Sequence, residues 1–140
     1  MTRISSMGIA VAVSVLLISI VAIAQQDQSP WLTNSVYGEL AKAPKKAAAR
    51  RNPLEADPEA AAAGAKLFAQ HCAQCHGETA EGGKKGPSLR APEVQQVAPG
   101  AIFWILTNGV VRRGMPVWSR LPDAQRWQLV SYIKSLGPGA

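Results

Sequence analysis

A chain of 140 residues is long enough for one domain rather than two. Fifteen Lys and Arg against nine Asp and Glu give a net charge of +6, but from Leu54 onward nine basic residues face seven acidic ones, which leaves only +2. The surplus therefore belongs to the upstream segment, and without basic–aromatic interleaving nothing in the chain points to a nucleic-acid partner.

Arg3 precedes an almost wholly apolar run, Gly8 to Ala24, and the polar sequence Gln25-Gln26-Asp27-Gln28 follows it. Ala22-Ile23-Ala24 supplies small residues at a cleavage position, so residues 1–24 read as a secretory signal peptide cut after Ala24. The alternative is a retained membrane anchor through residues 8–24. Either way the rest of the chain is expected outside the cytoplasmic membrane, periplasmic and either soluble or anchored.

Residues 25–53 read as a basic linker containing Pro and Ala. Lys42, Lys45, Lys46, Arg50 and Arg51 lie in it, punctuated by Pro30, Pro44 and Pro53. It is either a solvated, partly helical spacer or a strip that attracts anionic lipid or an acidic partner. Trp31, Leu32, Val36, Tyr37 and Leu40 form a candidate docking stretch within it, with no partner fixed by the sequence.

The folded domain is expected over residues 54–140. Asp57 is a good helix N-cap, Pro58 suits the first helical position, and Ala60 to Ala63 favour helix. Gly64, Leu67, Phe68 and His71 then share one face. Gly64 costs about 1 kcal/mol against Ala inside a helix, so its place on that face predicts a close crossing by another helix. Residues 77–99 are dense in Gly, Pro, Lys and Glu and read as loop. Gly100 to Thr107 predicts a short buried helix stopped by Asn108-Gly109. The last helix starts at Pro122-Asp123 and ends before Gly137-Pro138, with Trp127, Val130, Ile133 and Leu136 at helical spacing. No segment alternates like a strand. The domain is expected to be all-α, with three to four short helices and long loops. So small a body needs something apolar at its centre.

Cys72-Ala73-Gln74-Cys75-His76 has the spacing of c-type haem attachment. Two thiols a helical turn apart can each add to a vinyl group on one porphyrin edge, and the adjacent histidine can serve as proximal ligand. Three readings compete: a thioredoxin-like redox pair, which wants a βαβ setting; a zinc site, which normally draws on two separated ligand pairs; and a plain disulfide, whose geometry does not suit so short a loop. For the sixth ligand, Met115 is the only methionine after the apolar segment. His71, the only other histidine, precedes Cys72 directly and is expected on the attachment side. Met115 sits in Arg113-Gly114-Met115-Pro116, a sequence that fixes an irregular backbone path. A gap-filling core methionine is the alternative. Trp104 and Trp118 read as core or as neighbours of the haem. Arg112 and Arg113 read as partners of propionates or of an acidic protein, or as solvated surface.

From about Asp57 to Leu136 the chain resembles the class I cytochromes c of the bacterial periplasmic kind. The resemblance is carried by Gly64 and Phe68, CAQCHG at 72–77, GPSL at 86–89, RGMP at 113–116, and Trp127, Val130, Tyr132 and Ile133. It implies a cytochrome c fold whose first and last helices cross near Gly64, and a Pro87 carbonyl that accepts a hydrogen bond from the His76 ring. The function it implies is that of an electron carrier rather than an enzyme, with one haem c covalently attached through Cys72 and Cys75 and ligated by His76 and Met115. Expected partners are a donor dehydrogenase and an acceptor oxidase or another cytochrome. Two alternatives stand: a haem-bearing subunit of an oxidoreductase complex, and a sensor or enzyme with a displaceable sixth ligand.

Overall fold

The computed structural model describes residues 36–137. The apolar segment, its cleavage point, and Trp31 and Leu32 lie outside the described residues. Three helices of ten residues or more carry the architecture: α1 (Ala60–His71), α2 (Pro99–Asn108) and α3 (Asp123–Ser135). Short helical turns fill the intervals, and among the described residues no helix is long and apolar enough to cross a membrane.

Asp57, expected as the N-cap of α1, lies before that position: the N-cap is Glu59, with no side-chain cap bond, and Asp57 acts in the turn that leads in. Its carboxylate accepts the Glu59 amide at 2.9 Å, and the chain becomes helical from Ala60. This satisfies one of the amides that a helix start leaves without an internal partner. α1 and α3 form the most extensive helix pair, and they cross at Gly64. A Cβ there would lie 2.0 Å from the Gln128 carbonyl oxygen and 2.9 Å from the Tyr132 Cβ, so only glycine permits this approach. One turn further on, the Phe68 and Tyr132 rings meet with centroids 5.1 Å apart.

α2 is buried on several sides, with Ile102, Phe103, Ile105 and Leu106 in the core. Phe103 stacks on Trp127 of α3 at 4.1 Å. The stretch read as loop, 77–99, contains a short helix, Pro92–Gln96. Pro92 takes its first turn, where a missing N–H costs nothing, and Val94 is buried. Five residues are too few for a periodic signal, which is why the sequence pattern did not reveal it.

Residues 36–53, expected as a spacer, are packed against the helices. Val36–Lys42 forms a 3-10 helix and Lys45–Ala48 a single α-turn. Tyr37 and Leu40 pack on the core, so this part of the candidate docking stretch has the domain itself as its partner. The Arg50 guanidinium lies over the Phe103 ring at 4.5 Å and the Trp127 ring at 5.3 Å. Asn52 is buried, donating to Ser131 Oγ at 2.8 Å and accepting the Leu54 amide at 2.9 Å. Arg stacks well on aromatic faces. A basic residue that composition assigns to solvent therefore caps an aromatic pair.

Candidate functional site

α1 ends where the chemistry begins. The Cys72 amide still bonds to the Phe68 carbonyl at 2.8 Å, but its backbone leaves helical geometry before a new turn, Ala73–His76, resumes. The amides of Cys75 and His76 both return to the Cys72 carbonyl, at 3.1 and 3.0 Å. This places the two thiols a turn apart. Both cysteines are free and half-buried. Burial, with Cys75 nearby as a lesser cause, pushes the Cys72 thiol up to about 11. It is therefore a neutral S–H at physiological pH. Among the described residues no three His, Cys, Asp or Glu side chains gather to hold a metal ion, so the zinc reading finds no support.

Cys72, Cys75, His76, Pro87 and Met115 all line one cavity of about 640 Å³. The His76 Nδ1 lies 2.8 Å from the Pro87 carbonyl oxygen. A carbonyl only accepts, so Nδ1 carries the proton and Nε2 keeps its lone pair for a metal. The Pro87 loop is fixed from both sides: the Gly82 amide bonds to the His76 carbonyl at 2.7 Å, and the Leu89 amide bonds to Ala80 at 2.9 Å.

Met115 reaches the cavity from a different element. Val110 and Met115 form a reciprocal antiparallel pair, N···O 3.0 and 3.3 Å, closed by the 3-10 turn Val111–Arg113. Gly109, at φ +66°, lets the strand after Met115 come close: a Cβ there would stand 2.7 Å from Pro116 and 2.8 Å from the Met115 carbonyl oxygen. Trp118 lines the cavity and packs on His71 with centroids 5.4 Å apart, while Trp104 is half-buried on α2 away from it. Arg112 and Arg113 pair with Glu39. Tyr37 and Glu39, which the sequence pattern left in the linker, also line the cavity. The apolar spacing of Tyr37 and Leu40 was their only signal.

The family model described as cytochrome c oxidase, cbb3-type, subunit III matches residues 59–133. The chain belongs to this family. The cbb3-type cytochrome c oxidase subunit FixP of Bradyrhizobium sp. (strain ORS 278) is 37% identical over 87 residues, 56% of this chain and 28% of that protein. Subunit CcoP of Rhodobacter capsulatus is 34% identical over 94 residues, 60% of this chain and 32% of that protein. The chain thus spans about a third of the length of these curated relatives. Among solved structures, cytochrome cL of Methylophaga aminisulfidivorans MPT superposes with a TM-score of 0.54 at 27% identity, over 74% of this chain and 71% of that one. The chain accordingly carries an all-α cytochrome c domain, an electron-transfer domain of the single c-type haem kind with the CxxC pair.

The cavity fits that group. Its size falls within the range of cofactor pockets. Leu40, Leu89, Ile102, Leu106 and Ile133 give it apolar walls, two thiols project from one wall, and an imidazole is already held in the tautomer that binds iron.

Proposed function

We propose that this cytochrome is a single-electron carrier. In this reading Cys72 and Cys75 would hold the haem covalently, and His76 and Met115 would supply its two protein ligands. The observation that carries the reading is the convergence of these four side chains on one cavity, with His76 oriented by Pro87. The haem, when bound, supplies one-electron iron chemistry.

The chain's own residues do the rest. Cys72 and Cys75, a turn apart on one wall of the cavity, would hold the haem through their sulfurs. Pro87 keeps the His76 ring from turning and makes Nε2 the better donor. Met115, which lines the same cavity, would be the second protein ligand and would leave no open site for a substrate. A Met/His pair raises the reduction potential relative to two histidines. This suits acceptance from a periplasmic or membrane dehydrogenase and donation to an acceptor such as a terminal oxidase. The proposed setting is the periplasm, either free or held at the cytoplasmic membrane through residues 8–24.

Visible spectra of the purified holoprotein test this reading. Retained haem, a ferric methionine–iron charge-transfer band, and a ferrous form indifferent to carbon monoxide are expected. Prompt carbon monoxide binding would overturn Met115 ligation and move the site to sensing or catalysis.

A second reading, a resident subunit of an oxidoreductase complex, is favoured by the curated relatives, which are themselves named as oxidase subunits. Gel filtration of a mild-detergent membrane extract separates the two. A free shuttle elutes near its own mass, and a subunit elutes with a larger haem-bearing assembly.

A further inference from the structure

The 3-10 helix Val36–Lys42 lies upstream of the family match at 59–133, yet it touches both loops that present the proposed axial ligands. Towards the histidine side, the Tyr37 hydroxyl donates to the Ser88 carbonyl at 3.1 Å. Ser88 follows Pro87, whose carbonyl orients His76. Towards the methionine side, Glu39 accepts from Arg112 and lies 3.7 Å from Arg113 Nε. These arginines stand three and two residues before Met115. Lys42 bonds to the same carboxylate oxygen at 2.9 Å.

The Glu39 side chain is 13% exposed, but Lys42, Arg112 and Arg113 around it are about half exposed or more, so these are surface ion pairs whose effect comes from three cations sharing one carboxylate. Between Val110 and Met115 the turn itself is exposed at Val111, Arg112, Arg113 and Gly114. A turn with so little buried side chain opens locally at low cost unless something else holds it.

We propose that Val36–Lys42 is a strap joining the two ligand loops, with Tyr37 and Glu39 as positioning residues: Tyr37 for the Pro87 loop and Glu39 for the Met115 loop. The strap also closes one side of the cavity with Val36 and Leu40. It sets how readily the methionine loop swings away from the iron. That consequence rests on Met115 being the proposed ligand, whereas the grip of Glu39 on the loop does not.

The test uses the full-length holoprotein, its Glu39→Gln, Tyr37→Phe and Lys42→Ala variants, and amide hydrogen exchange alongside carbon monoxide binding. In Glu39→Gln the amides of Val110, Gly114 and Met115 exchange about fivefold faster or more, and carbon monoxide binds the ferrous form correspondingly faster with haem retained. In Tyr37→Phe the faster amide is that of Leu89, and the Met115 loop is unchanged. Lys42→Ala removes one of the cations on the Glu39 carboxylate but leaves both bridges in place, so it accelerates exchange at 110–115 less than Glu39→Gln does and leaves Leu89 unchanged. Unchanged exchange at 110–115 in Glu39→Gln overturns the strap. So does equal acceleration of every protected amide, because that is global destabilisation. If the wild type itself binds carbon monoxide at once, Met115 ligation fails, and the exchange data still decide the strap.

Discussion

His76 and Met115 arrive at the same cavity by different means. The histidine is held through its ring, by a hydrogen bond to Pro87. Among the described residues the methionine side chain has no hydrogen bond to orient it, and it depends on its backbone, paired to Val110 and turned by Gly114. Met115→Ala is accordingly expected to keep its haem, lose the ferric charge-transfer band and bind carbon monoxide. Met115→His is expected to stay closed and show a lower reduction potential in a redox titration. A second prediction at the residue scale concerns Glu39. Its carboxyl is held below the usual range, first by Lys42 and then by Arg112. A depressed folded-state value means that the group's contribution is present above the unfolded value and is lost as pH falls through the folded one. The stability difference between wild type and Glu39→Gln should therefore be constant near neutrality and shrink only below about pH 4.5, the ordinary glutamate value, as followed by thermal melts across pH.

At the scale of elements, two close backbone approaches place the site. At the α1–α3 crossing, Gly64→Ala puts a methyl 2.0 Å from the Gln128 carbonyl oxygen, which no rotamer change relieves. A loss of about 3 kcal/mol is expected in urea unfolding. At the end of α2, Gly109→Ala combines a positive-φ, extended backbone that is essentially glycine's alone, costing about 1–3 kcal/mol, with contact against Met115 and Pro116. It should shift the methionine loop and raise carbon monoxide binding while covalent haem content stays normal. The Gly64 crossing was legible in the sequence, because a glycine on an apolar helical face gives up side-chain packing that only a close neighbouring backbone makes good. Gly109 was read only as a helix stop. Its second role depends on Met115 and Pro116 returning to it, which no local pattern states.

At the scale of the whole molecule, residues 36–53 are part of the body. They contribute the Arg50 cap on the Phe103–Trp127 stack, the buried Asn52–Ser131 bond and the strap over the cavity. A holoprotein starting at Leu54 is expected to melt about 10 °C lower or more, since each lost kcal/mol is worth about 4–8 °C in a domain of this size. An unchanged melting temperature would mean that the segment rests on the surface without stabilising it. The sequence by itself determined what short-range rules encode: the existence of the three long helices, the CxxCH turn, and Met115 as the sole methionine downstream of the apolar segment. Those features are written within one or two turns of chain, where spacing and residue type act directly. Only the tertiary structure decided that Tyr37, Glu39, Arg50 and Asn52 belong with the domain. Their partners lie 51 to 79 residues away in the hydrogen bonds of Tyr37, Glu39 and Asn52, and beyond the Tyr37–Leu40 spacing no local pattern announces such contacts.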